Sequence, residues 1–188
     1  MLTYTNVDKD NRLVYGKEEK RYTKSELLKS FEDFIKESGF KIIEWRNDKH
    51  VPYEIIISKD NKNYRLVLFL KNITGAGWET KPNIKRVQVT NIRVVDIDKY
   101  INTTDSEALV ILGYYNFDDN PIMVAWNAYK YVYHGTNRSC YVDIESLLEG
   151  YKNGYISKNY ADQRIWVFKA NYFEVFLKNY IEKNKVED

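Results

Sequence analysis

Two segments of the chain carry positive charge and contain no acidic residue. Residues 80–95 hold four cations, for a local charge of +4, and residues 121–142 hold two cations and a histidine. Basic side chains attract the phosphates of nucleic acids, so the pattern predicts a DNA-binding surface built from both segments. The charged candidates are Lys81, Lys85, Arg86 and Arg93 in the first segment and Lys130, His134 and Arg138 in the second.

Uncharged side chains that could contact bases lie in or beside the same segments. Side-chain amides can hydrogen-bond to base edges, and aromatic rings can stack on bases. The amide candidates are Asn72, Gln88, Asn127 and Asn137, and the ring candidates are Trp78, Trp126 and Tyr131. We expect these residues to share one surface with the cations.

Basic and acidic residues are concentrated in separate segments of the chain. Between the basic segments, residues 96–119 hold six acids and one lysine, for a local charge of −5, whereas the whole chain has a net charge of only +2. A charge this close to zero gives no general argument for a polyanionic partner. The prediction of DNA binding therefore depends on where the two basic segments lie in the fold.

A nuclease is an alternative hypothesis. Metal-dependent nucleases hold Mg²⁺ with carboxylates and place a lysine near the attacking water. Glu54, on a predicted strand, together with Glu79 and Lys81 resembles that arrangement. However, Glu79 and Lys81 lie in a glycine-containing loop that runs into Pro82, whereas the chemistry needs them fixed on a strand.

Other catalytic chemistry finds no support in the sequence. It contains no Gly-rich phosphate loop, no H-E-x-x-H and no G-x-S-x-G motif. Its two histidines are far apart, and the single Cys140 allows neither an internal disulfide nor a Cys-based zinc site. We predict no catalytic residue, no metal and no cofactor. The absence of an apolar leader or a long apolar run predicts a cytoplasmic protein without membrane contact.

Apolar periodicity predicts the elements that position these residues. Thr23 and Glu26 form a capping-box pattern at the start of a helix over residues 23–38, and Asn171 with Glu174 repeats the pattern for a last helix over 171–184. Asp143 caps a short helix over 144–154. Strands are predicted at 41–46, 53–58, 64–70, 84–95, 108–115, 121–126, 129–133, 139–142 and 164–168.

This order of elements is not the strand–helix alternation of parallel α/β folds. It predicts one α+β domain over residues 1–188, with a mixed, mostly antiparallel sheet flanked by an N-terminal and a C-terminal helix, and with a barrel-like sheet as a variant. Residues 1–22 form an extended arm and residues 41–168 the sheet-rich core. Within the strand at 84–95, Val87 and Val89 share one face, and Arg86 and Gln88 share the other.

Several pieces of the chain, in order, are similar to a module of bacterial restriction and phage-defence proteins. They are L-K-N-I-T-G at 70–75, K-R-V-Q-V-T-N-I at 85–92, V-I-L-G-Y at 110–114, V-A-W-N at 124–127, R-S at 138–139, the helix at 144–154 and W-V-F at 166–168. The resemblance covers roughly residues 64–182 and departs at Lys85, where the module usually carries an acid.

The resemblance implies a restriction-associated role, because such modules precede the nuclease domain of restriction endonucleases. The function predicted from it is target recognition without catalysis in a restriction or anti-phage system. The implied partners are double-stranded DNA, plain or modified, and a nuclease domain or subunit. A third hypothesis is a protein-interaction subunit that docks its partner through the last helix or an exposed edge strand.

Overall fold

Twelve strands and four α-helices make up the part of the chain that the structure, a computed structural model, describes: residues 5–90, 106–132 and 138–184. The strands are β1 (Thr5–Val7), β2 (Leu13–Tyr15), β3 (Lys41–Asn47), β4 (Tyr53–Lys59), β5 (Lys62–Asn72), β6 (Thr74–Gly75), β7 (Ile84–Val89), β8 (Glu107–Phe117), β9 (Asn120–Asn127), β10 (Arg138–Asp143), β11 (Tyr155–Tyr160) and β12 (Gln163–Phe168). The helices are α1 (Lys24–Glu37), α2 (Ala128–Val132), α3 (Ile144–Asn153) and α4 (Phe173–Lys183).

Seven of these strands form the main sheet, in the order β11-β12-β9-β8-β5-β4-β3. Only β5 and β8 run parallel, and every other neighbouring pair is antiparallel. The predicted α+β class with a mixed, mostly antiparallel sheet is therefore confirmed. The barrel-like variant is wrong, because β3 and β11 are separate edges and the sheet does not close.

One face of the main sheet is covered by helices. Leu66 and Leu68 of β5 point to this side, where they join one apolar cluster with Phe34 of α1 and Phe176 of α4. The ring of Phe176 stacks on Phe168 of β12, with centroids 4.1 Å apart. The predicted N-terminal and C-terminal helices thus pack side by side on the same layer.

The opposite face carries a second layer made of α3 and a small three-stranded sheet, in the order β10-β7-β6. Val67 and Phe69, which alternate with the leucines of β5, point to this side and join Val87 of β7 and Leu147 of α3 in a second apolar cluster. Because β5 is buried on both faces, its sequence is a nearly continuous apolar run instead of an alternation.

Helix starts were predicted with mixed success. The Thr23–Glu26 capping box is confirmed, and Asp143 caps α3 by accepting a hydrogen bond of 2.9 Å from the amide of Ser146. The Asn171–Glu174 capping box is wrong. A 3-10 turn leads into α4, and the Glu174 carboxylate instead accepts a hydrogen bond of 2.6 Å from Lys59.

Other segments also differ from their predictions. Residues 129–133 were expected to form a strand, but the chain is helical over α2, directly after β9. Strand β11 was not predicted, and the N-terminal arm contains the β1–β2 hairpin. The predicted strand at 84–95 is observed as β7 up to Val89, and residues 91–95 lie outside the described ranges.

Candidate nucleic-acid interface

The small sheet brings the two basic segments side by side. Strand β7 belongs to the first segment, β10 begins in the second, and the two pair antiparallel. Tyr141 lies opposite Arg86, Ser139 lies opposite Gln88, and Thr74 of β6 flanks Arg86 on its other side. Directly opposed residues in a sheet project to the same face, so these five side chains share one surface, here called the outer face.

The outer face is turned to solvent because the other face of the small sheet is buried against the core. Val87 and Val142 point inward and are fully buried. Gln88 is exposed, and Arg86 and Tyr141 are partly exposed. Within residues 5–90, 106–132 and 138–184, no side chain or carbonyl forms a hydrogen bond or ion pair with the Arg86 guanidinium, which therefore retains its donors for a ligand.

The loop between β6 and β7 adds an aromatic ring and a second cation. Its shape is fixed by backbone hydrogen bonds, including one of 3.1 Å from the Lys81 amide to the Trp78 carbonyl. The Trp78 ring lies against the Tyr141 ring, with centroids 5.2 Å apart and planes inclined by 30°. Lys81 Nζ lies over the Trp78 ring, 5.6 Å from its centroid. Trp78 and Lys81 therefore extend the outer face.

Acidic residues also border this surface, and one of them, Glu145, accepts a hydrogen bond of 3.2 Å from Asn83 just before β7. Asp143 projects to the same side at the end of β10, but its carboxylate is occupied in capping α3. Glu79 follows Trp78 in the loop and is exposed. The positive charge of the outer face thus rests on Arg86 and Lys81.

Lys85, predicted to bind DNA, points the opposite way and is completely buried. It alternates with Arg86 along β7 and so projects inward with Val87. Its Nζ atom donates a hydrogen bond of 2.9 Å to Glu19 Oε2 and one of 3.0 Å to Asn6 Oδ1. Lys85 is therefore not available to a phosphate, and its assignment to the binding surface is wrong.

The buried ion pair between Lys85 and Glu19 holds the N-terminal arm on the small sheet. Glu19 Oε1 also accepts a hydrogen bond from the backbone amide of Gly75 in β6, and the Tyr115 hydroxyl donates one of 2.8 Å to Asn6 Oδ1. Burial lowers the pKa of Lys85, because desolvation disfavours the ammonium, while the Glu19 carboxylate opposes the shift. A charged pair inside the protein is tolerated here because nearby polar groups satisfy its donors and acceptors.

The two other predicted rings are structural. Trp126 is fully buried, and its indole donates a hydrogen bond of 3.2 Å to the Tyr141 carbonyl, which supports β10 from beneath. Tyr131 is also buried, in the same cluster as Cys140. A base could stack on neither ring without unfolding of the core, so both predictions are wrong.

The remaining candidates do not gather on the outer face. The Asn72 amide makes both its hydrogen bonds with the backbone of Tyr22, Asn127 is hydrogen-bonded to Asn184, and Lys130 donates to the carbonyl of Asp162. Arg138 is opposite buried Val89, on the inner side at the end of β10. The candidates that fall outside the described residues are Arg93, His134 and Asn137.

The residues of the nuclease hypothesis are also separated in the fold. Glu54 lies on β4 of the main sheet and accepts a hydrogen bond of 2.8 Å from Arg65, whereas Glu79 and Lys81 lie in the loop of the small sheet. The described ranges contain no group of three or more His, Cys, Asp or Glu side chains able to hold a metal ion. Glu54 therefore forms an ion pair with Arg65 within the main sheet and is not part of a metal site among the described residues.

Three residues of the outer face were missed from the sequence: Thr74, Ser139 and Tyr141. Their signal was present in the alternation of β10, in which Ser139 and Tyr141 flank the apolar Cys140 and Val142. The pairing register could not be predicted from the sequence, because Ser139 and Tyr141 lie more than fifty positions from the residues they face, Gln88 and Arg86.

A family model described as methylase-associated X1 matches residues 64–177, which is more than half of the chain and includes both basic strands. The chain belongs to the methylase-associated X1 family. The match runs from β5 into α4 and contains the whole outer face, whereas Glu19 and Asn6 precede it.

Membership in this family confirms part of the predicted role, the association with restriction–modification systems. The family name associates its members with methylases, which are the modification enzymes of such systems. The resemblance found in the sequence had implied a nuclease as the partner.

Neither a curated protein nor a solved structure matches the chain. No helix within the described ranges is long and apolar enough to cross a membrane.

Proposed function

We propose that this methylase-associated X1 protein is the DNA-recognition module of a restriction–modification or phage-defence system and contributes no catalytic group of its own. In this role it binds double-stranded DNA, plain or modified, and positions the methylase or nuclease of the same system on its target. The pairing of β7 with β10 carries the proposal, since it sets Ser139 and Tyr141 of the second acid-free segment beside Gln88 and Arg86 of the first on one exposed face.

Each residue type on the outer face suits one part of DNA binding. Arg86 and Lys81 can each contact a phosphate, and such contacts supply most of the affinity of a DNA-binding protein. Gln88, exposed next to Arg86 on the same face, can offer a donor and an acceptor to a base edge. Arg93, His134 and Asn137 remain candidates from the sequence, and we propose that they also contact DNA.

The proposal is tested by binding to labelled duplexes followed by fluorescence anisotropy. Plain, methylated and hydroxymethylated versions of the same mixed-sequence duplex are compared at low and at near-physiological salt. We expect binding of at least one duplex at low salt and weaker binding at the higher salt. Failure to bind any of the three duplexes at low salt would refute DNA recognition.

The matched variants are Arg86→Gln and Arg164→Gln, each of which removes one positive charge from a strand. Arg164 alternates with Ile165 on β12, and therefore lies on the helix-covered side of the main sheet, away from the outer face. We expect Arg86→Gln to weaken DNA binding and Arg164→Gln to leave it close to wild type. Equal effects of the two substitutions would mean that the outer face is not the binding surface.

A further inference from the structure

Trp78 differs from the other tryptophans of the chain in what surrounds it. Trp126 and Trp166 are at most 1% exposed, and the Trp45 indole donates a hydrogen bond to Glu32. Trp78 is 40% exposed, and its indole N–H donates to no residue within the described ranges. An exposed ring with an unused donor loses apolar burial, so packing of the core does not explain its position.

The Trp78 ring is nevertheless held in a defined orientation. Tyr141 supports it from the small sheet, and Tyr141 is itself fixed by its place in β10 and by the hydrogen bond from buried Trp126 to its carbonyl. The loop that carries Trp78 is closed by a hydrogen bond of 3.0 Å from the Ala76 amide to the Ile84 carbonyl. A supported aromatic ring can stack on a partner with little loss of side-chain entropy.

Two cations lie near the Trp78–Tyr141 pair. Lys81 Nζ lies over the Trp78 ring, and Arg86 is next to Tyr141 across the two strands. A flat ring flanked by flexible or unpaired cations is the arrangement with which proteins bind a base and its neighbouring phosphates in unpaired nucleic acid. A stacked base would replace or slide beneath the Lys81 ammonium, which could then move to a phosphate.

We propose that the Trp78–Tyr141 pair is a stacking site for a single unpaired base of DNA, either in a single strand or extruded from a duplex. The proposal rests on the DNA-binding function proposed above and adds the class of DNA that the outer face prefers. Enzymes that methylate DNA act on a base outside the stack, so a site of this kind suits a protein associated with methylases.

The test compares three labelled DNAs of one sequence: a perfect duplex, the same duplex with one bulged base, and the single strand. We expect the wild-type protein to bind the bulged duplex and the single strand more tightly than the perfect duplex. Trp78→Ala should weaken binding of the two unpaired DNAs by roughly 5- to 150-fold, the range for loss of one stacking ring, and should affect the perfect duplex much less.

Two further variants keep the result interpretable. Trp78→Phe retains a ring and should restore most of the preference for unpaired bases. Ile43→Ala removes a side chain that is 54% exposed on edge strand β3, and should leave all three affinities unchanged. A folded Trp78→Ala protein, verified by circular dichroism, excludes loss of structure as the cause.

The outcomes separate this inference from the proposed function. If Arg86→Gln weakens binding of all three DNAs but Trp78→Ala weakens none, DNA binding holds and the stacking site is refuted. If Trp78→Ala weakens the perfect duplex as much as the bulged one, the ring contacts DNA without selecting an unpaired base, and the inference is also wrong. If no DNA binds at all, both proposals fail, and the exposed ring belongs to a protein contact.

Discussion

The buried ion pair between Lys85 and Glu19 gives a sharp prediction about stability. The Glu19 side chain is 1% exposed and the Lys85 side chain 0%, with 2.9 Å between Nζ and Oε2. Replacement of Glu19 by Gln keeps the size of the side chain but removes the charge that compensates the buried ammonium. Removal of one partner of a buried pair costs about 3–5 kcal/mol, because the other charge is left without compensation in a medium of low polarity.

A surface pair with the same geometry is the matched control. Lys158 Nζ lies 2.8 Å from Glu149 Oε2, but these side chains are 36% and 46% exposed. Water solvates each charge there when its partner is removed, so Glu149→Gln should cost at most about 1 kcal/mol. The difference between the two Glu→Gln variants isolates the effect of burial, since the distances are nearly equal.

The assay is unfolding in urea, followed by tryptophan fluorescence and circular dichroism, with the free energy of unfolding extrapolated to water. Two more proteins, Lys85→Met and the double variant Glu19→Gln with Lys85→Met, complete a double-mutant cycle with Glu19→Gln and wild type. We expect the double variant to lose less stability than the sum of the single ones, by about 2 kcal/mol or more. If Glu19→Gln costs no more than Glu149→Gln, or if the cycle shows no coupling, the arm is not fastened by this pair and the inward orientation of Lys85 is wrong.

Two further predictions concern the core. Gly150→Ala should destabilise the protein by about 1–3 kcal/mol, because the added Cβ would lie 2.4 Å from Val167 Cγ1, and this clash outweighs the helix propensity of alanine. Urea unfolding measures the change in stability, and a stabilised variant would contradict the packing of α3 on β12. Burial raises the pKa of Cys140 from 9.0 to about 12, so between these values the folded state keeps a proton that the unfolded state releases, and stability falls as pH rises. In this window Cys140→Ala should reduce the slope of stability against pH by about 1.4 kcal/mol per pH unit, and an unchanged slope in urea unfolding at several pH values would contradict the burial of the thiol.

Local patterns were sufficient to predict much of the fold. The capping box at Thr23, the cap at Asp143 and the alternation of Arg86 with Val87 are all set by neighbours within a few residues, and all are observed. The same alternation already implied that Lys85 points inward with Val87. Charge along the chain does not identify a surface here, because adjacent side chains of a strand project to opposite faces.

Long-range packing decided what the sequence could not. Trp126 is buried because β9 lies in the middle of a sheet covered on both faces, and this packing involves residues far apart in the sequence. The β-favouring residues at 129–132 instead lie in helix α2, since tertiary context overrides strand propensity. The ion pair of Lys85 could not be predicted either, because its partner Glu19 lies 66 positions away in an arm without apolar periodicity.

Binding of DNA to the outer face through Arg86 is tested by the salt dependence of the affinity. The logarithm of the association constant for a plain duplex is measured against the logarithm of salt concentration for wild type, Arg86→Gln and Arg164→Gln. Each lost phosphate contact should reduce the magnitude of the slope by about 0.9, so we predict a shallower line for Arg86→Gln and an unchanged line for Arg164→Gln. A slope for Arg86→Gln equal to that of wild type, or duplex binding that does not respond to salt, would mean that Arg86 contacts no phosphate.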